Sequence, residues 1–175
     1  MERCTIEPSD VRITVRSAST GQGQHVAPTE DFRPPLDLRQ WIDPWTLAEW
    51  TEKEVEKLRD ESWPIAPGNG FRRMARLLVF AYASRVFDSE EIVRKCHVDP
   101  VFRVLCDGEP PIARELWGFR RNNRILLQDL LSRVLLYSVR DRFGLDAGNP
   151  QPGLEQDLRQ HATERLNIAR HMDQR

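Results

Sequence analysis

The chemistry this sequence offers most plainly is that of the guanidinium group. Arg114, Arg120, Arg121 and Arg124 fall within eleven residues against a single acid, Glu115. Trp117 and Phe119 are interleaved, and Asn122 and Asn123 follow the arginine pair directly. On a helix Arg120 and Arg124 are i, i+4 neighbours and Arg121 lies beside both, a like-charge arrangement that costs a few tenths of a kcal/mol per pair. A polyanion turns that cost into a gain by releasing its counterions. Arginine forks match phosphate oxygens, and asparagine amides donate to phosphates or read an adenine edge. The DNA-contact candidates are therefore Arg114, Arg120, Arg121, Asn122, Asn123 and Arg124. The same residues also fit a plain helix junction. There Phe119 anchors the core, Arg120 and Arg121 pair with acids of the segment before Trp63, and Asn122 or Asn123 caps the next helix.

Other chemistries have less to stand on. There is no Gly-rich phosphate loop, no His-Glu-x-x-His and no Cys-x-x-Cys. Cys4, Cys96 and Cys106 form an odd set without a close pair, which argues against a disulfide framework. Cys96-His97 with Cys106-Asp107 matches no zinc-ligand spacing, and Cys96 falls on an apolar helix face. His161 and His171 are ten residues apart, which is not one-face spacing. No catalytic residue, metal or cofactor is expected.

Charge is distributed unevenly. The chain carries a net −1 over 175 residues, so its overall charge does not announce a nucleic-acid binder. From Glu30 to Trp63 five bases face ten acids, whereas from Phe71 to Arg142 fourteen bases face nine acids. Either the two halves neutralise each other by packing, or the basic half meets an anion. No apolar run reaches the ~20 residues that span a bilayer. The opening "MERCTIEPSDVRITVR" lacks a signal-peptide core, so a cytoplasmic protein without membrane contact is expected.

The elements that must position the arginines read as helices. Residues 1–40 read as a poorly ordered N-terminal arm, with "VRITV" alternating like a short strand and "SASTGQGQ" like a linker. Asp43 and Pro44 open the first helix as N-cap and first-turn proline, with Thr51 as a possible restart. "WPIAPGNG" breaks it. The run from Phe71 to Tyr82 is apolar nearly all round in its second half and should be the central helix. Asp88 or Ser89 caps the next helix. Asp99 with Pro100 starts a short one that ends at Gly108, taken as a left-handed C-cap. Beyond Pro110 and Pro111 comes the arginine segment, which with the preceding short helix gives a helix-turn-helix-like layout. A long amphipathic helix follows, with Leu127, Leu130 or Leu131, Val134 and Ser138 inward and a stop at Gly144. "LDAGNPQPG" leads to a last helix striped by Leu154, Leu158, Ala162, Leu166 and Ala169. The expected fold is all-α, a compact bundle of about five to seven helices. Its parts are an extended arm over 1–40, a helical domain over 41–145, and a linker with an amphipathic helix over 146–175.

One stretch carries a family resemblance. "LLVFAYASRVFDSEEIVRKCHVDPVFRVLCDG", then "FRRNN", then "LLQDLLSRVL" resembles the N-terminal domain of InsH-type insertion-sequence transposases. The matching positions are Leu77–Tyr82, Ser89, Arg94, Asp99, Phe102, Arg103, Leu105, Gly108, Pro111, Phe119, Arg120, Arg121 and Asn123. They lie within Gly70 to Gly144, less than half of the chain. The resemblance implies a helical module that binds DNA, with dimerisation as a further option, and recognises transposon ends. In that family it precedes a ribonuclease-H-type domain with an Asp-Asp-Glu metal triad. Here 31 residues follow Gly144 and read as helix, so a non-catalytic protein is expected. Ile112 and Glu115 stand where the family has Asp and Thr. The expected function is that of a transposase-like DNA-binding protein, either a split-transposase product or a domesticated regulator of DNA recombination. The alternative is a protein-interaction or homodimerisation module, built on the Trp-rich acidic segment (Trp41, Trp45, Trp50) and the last helix.

Overall fold

A computed structural model describes residues 33–59, 68–145 and 153–174. Among these it has seven α-helices and no strand. They are α1 (Pro44–Glu56), α2 (Asn69–Ala83), α3 (Ser89–Val98), α4 (Pro100–Leu105), α5 (Ala113–Asn122), α6 (Arg124–Phe143) and α7 (Leu154–Met172). The strand expected at 11–15, the linker after it and most of the two interhelical breaks lie outside the described residues.

Local chemistry sets most helix boundaries. Asp43 accepts from the Trp45 and Thr46 N–H groups at 2.9 and 3.2 Å, opening α1 with Pro44 at the first position. Thr51 does not restart the helix, because its hydroxyl donates to the Leu47 carbonyl at 2.9 Å and is fully buried. At α3 the cap is Asp88, which accepts from the Glu91 N–H at 2.8 Å. Ser89 is left free to turn inward. Asp99 caps α4 at the Val101 N–H, 2.9 Å. The end of α4 differs from expectation. Gly108 N–H reaches the Arg103 carbonyl and Asp107 N–H the Val104 carbonyl, each at 3.0 Å, a Schellman closure. Asp107 therefore holds its left-handed position with φ 56°, and Gly108, with φ 71°, follows it. Gly144, with φ 62°, does close α6 as expected.

The core forms around α2. From Met74 to Ala83 every side chain except Arg76 is buried, so the helix is covered on all sides, as its apolar second half requires. Phe80 meets Phe102 of α4 edge-on at 5.2 Å, and Phe71 meets Phe119 of α5 at 4.9 Å. The α6 face of Leu127, Leu130, Leu131, Val134, Leu135 and Val139 is buried. α7 lays its leucine and alanine stripe against α6, the most extensive helix pair in the bundle. The last helix is thus part of the same core, and its apolar stripe is used within the chain.

The start of the described chain is also packed, in contrast to an arm ending at residue 40. Leu38 is fully buried. Asp37 bridges to Ser84, and Arg39 donates to the Ser84 carbonyl at 3.1 Å. The reason lies in Arg165 of α7, which is 1% exposed. Its guanidinium donates to the carbonyls of Leu36 at 2.7 Å and Tyr82 at 2.9 Å, and also to those of Pro35 and Ala83. Tyr82 and Ala83 end α2, whose last carbonyls lack helical partners. A buried cation at the negative end of a helix meets both needs. Burial pulls the Arg165 pKa down to about 10.

Candidate nucleic-acid interface

The six sequence candidates are divided by the fold. Arg120 points inward and is 5% exposed. It donates to Ser89 Oγ at 2.6 Å and forms an ion pair with Asp173, just past α7. Ser89 Oγ in turn donates to Asp173 Oδ1 at 3.0 Å. The guanidinium lies 5.7 Å from the centre of the Tyr82 ring. Burial raises the phenol of Tyr82 far above its ordinary range. Arg120 is therefore placed in the interior rather than on a surface from which phosphate is reached. Its partner is also not the acidic segment before Trp63. A cation one turn from an apolar anchor, Leu116, faces the core, and the carboxylate that neutralises it comes from the far end of the chain.

The other candidates stay at the surface. Arg114 and Asn122 are exposed, and Arg121 is exposed with its guanidinium 5.9 Å from the Trp117 ring centre. Asn123 sits at the α5–α6 junction. Its side-chain amide donates back to the Phe119 carbonyl at 2.9 Å, which ends α5 instead of capping α6. Arg124 is half-buried and donates to Asn167 of α7 at 2.8 Å, a neutral partner, and pairs with no carboxylate among the described residues. Phe119 anchors the junction against Phe71. Glu115 accepts from the Ile112 N–H at 3.1 Å and so holds the start of α5.

Two adjoining depressions share Arg121 and Arg124. The first, about 400 Å³, is lined by Trp117, Arg120, Arg121, Arg124, Arg170, Asp173 and Gln174, four arginines against one aspartate. The second, about 680 Å³, adds Asn122, Ile125, Gln128, Arg133 and Arg159 around Asp129. Asp129 binds Arg133 at 2.9 Å and Arg159 at 3.1 Å, so this side is nearer neutral.

The two oppositely charged segments do pack together, but not through this junction. Arg76 of α2 meets Glu52 at 3.2 Å, Arg72 meets Glu56 at 3.8 Å, and Arg133 of α6 meets Glu54 at 3.6 Å. Glu54 is 1% exposed and accepts from the Tyr137 hydroxyl at 2.7 Å. It also holds Lys57, whose pKa is raised by the Glu54 hydrogen bond and then by Tyr137. Neutralisation by packing thus consumes the arginines that face α1. Among the described residues Arg114, Arg121 and Arg170 have no carboxylate within ion-pair distance.

Arg170 escaped the sequence reading. It lies beside the α7 stripe next to Ala169, a signal that marks it only as a surface residue until the docking of α7 on α6 is known. Arg165 was nearer to legible, because it falls three after Ala162 and four before Ala169, at the spacing of the buried stripe.

Cys96 and Cys106 form no ligand set with His97 and Asp107. Cys96 and Cys106 are both buried, while His97 and Asp107 are exposed. Burial, then the neighbouring Cys106, pushes the Cys96 thiol up to about 12. Among the described residues no group of three or more His, Cys, Asp or Glu is placed to share a metal ion. No described helix is long and apolar enough to cross a membrane.

The fold and this surface define an all-α bundle with an arginine-rich junction between α5, α6 and the end of α7. Comparison with family models, curated proteins and solved structures finds no match for the chain.

Proposed function

We propose that this protein is a non-catalytic nucleic-acid-binding protein that holds DNA at the α5–α6 junction. The observation that carries the reading is the convergence of Arg121, Arg124 and Arg170 from three helices, none of them in an ion pair with a carboxylate among the described residues. Holding these guanidinia together costs repulsion that an isolated fold gains nothing from, and a phosphate backbone reverses it. Arg114 and Asn122 extend the surface along α5, and Asn122 is the remaining candidate to read a base edge. Arg120 contributes by holding α5 and the end of α7 together. The resemblance to transposase N-terminal domains supports the same assignment, with transposon-end or operator DNA as the target. The alternative of dimerisation through the last helix has less support, since the α7 stripe is spent on α6.

The test is fluorescence anisotropy with labelled duplex DNA across a salt series. Three neutralised phosphates give a slope of about −2.7, or roughly 40-fold weaker binding between 50 and 200 mM salt. Absence of binding at ~50 mM salt would remove the proposal.

A further inference from the structure

The cavity at the junction is concave, and the body of a duplex is convex with its bases stacked away from the protein. That mismatch narrows the ligand. We infer, resting on the nucleic-acid reading above, that the pocket between α5, α6 and the end of α7 takes an unpaired nucleotide. Its base lies against Trp117 and its phosphate lies among Arg121, Arg124 and Arg170.

Four observations converge on this. The cavity is about 400 Å³, within the ~300–1,000 Å³ range of small-ligand sites and too small for two stacked base pairs. Trp117 is 46% exposed, so its indole is not needed to fill the core. An exposed indole beside a cationic groove is the arrangement on which unpaired bases stack. The Arg121 guanidinium lies 5.9 Å from the centre of that indole, which brings the phosphate-binding group and the stacking surface together. At the floor, Arg120 is 94% buried by side chain, and its Nε and Nη1 have no hydrogen-bond partner. Arg120 is paired there with Asp173, so the floor is close to neutral and the positive charge that faces a ligand comes from Arg121, Arg124 and Arg170 around it.

A base inside a duplex reaches Trp117 only by unstacking, whereas a base in a single-stranded extension is already free. The experiment compares four probes of one sequence at ~100 mM salt, where counterion release still leaves binding measurable. They are a blunt duplex, the same duplex with a 5′ or a 3′ three-nucleotide extension, and the free single strand. At least one extension should bind about tenfold tighter than the blunt duplex, the increment expected for one stacked base. Trp117→Ala should bring that ratio close to one, and Trp117→Phe should restore most of it. Circular dichroism confirms that both variants are folded. Equal affinity for blunt and extended probes, or a ratio that survives Trp117→Ala, overturns the pocket while leaving duplex binding in place. Failure to bind any probe overturns both readings.

Discussion

Arg120 of α5 and Asp173, just beyond α7, form an ion pair in which each side chain is 6% exposed. It joins the arginine segment to the opposite end of the chain through Ser89 at the start of α3. The junction surface consequently exists only when α7 is docked, because Arg170 lies three residues before Asp173.

Breaking this pair leaves a buried carboxylate uncompensated. Arg120→Met should lower the unfolding free energy by about 3–5 kcal/mol. Adding Asp173→Leu should recover much of that loss, since removing both charges spares their desolvation. Urea unfolding of both variants checks this. A double variant no more stable than the single one contradicts the coupling.

Arg165 satisfies the last carbonyls of α2 and those of Pro35 and Leu36. Arg165→Leu keeps the bulk but orphans these acceptors, at about 1–3 kcal/mol for each one left dry. The expected loss is at least about 2 kcal/mol. Hydrogen exchange should also show faster opening of the amides around Leu38 and Ser84. A variant with native stability means that water replaces the guanidinium and that the arm packs by itself.

Asp37 gives a pH signature. Burial pushes its carboxyl up, but the hydrogen bonds from the Arg39 side chain and backbone outweigh that and hold it below its usual 3.8. A carboxylate with a lowered folded pKa contributes stability in full above its unfolded pKa and loses it as pH falls through the folded value. The stability gap between the protein and Asp37→Asn should therefore be constant from pH 5 to 8 and close below about pH 4. A gap that widens on acidification has the wrong sign for this environment.

Gly118 sits within α5, and a Cβ built there meets nothing within 4 Å. Gly118→Ala should stabilise the protein by about 0.5–1 kcal/mol by lowering the entropy of the unfolded chain. DNA affinity should stay within twofold if that stretch of α5 serves only as a support. Destabilisation would mean that the backbone there is not in its relaxed helical form.

Most of the helix frame was legible because its signals are local. Asp43, Asp88, Asp99 and Gly144 each act on residues within a turn, and the stripes of α6 and α7 are sums of one residue type at fixed spacing. The site was legible only as a cluster. Arg120 and Arg121 are neighbours of one type, yet one is buried and the other exposed. What divides them is the phase of α5 against the core and a carboxylate at Asp173, which no local pattern connects to them. Asp107 misled for the reverse reason. A Gly one residue on was the stronger local signal, but the Schellman hydrogen bonds set the left-handed position at the aspartate.

The central claim is that Arg121, Arg124 and Arg170 together make a phosphate-binding surface, and salt-dependent DNA binding by their triple alanine variant tests it most directly. Each lost phosphate contact should flatten the slope of log affinity against log salt by about 0.9, so the triple variant should lose about 2.7 units of slope while staying folded. A folded triple variant whose affinity and salt slope match those of the parent would contradict the account.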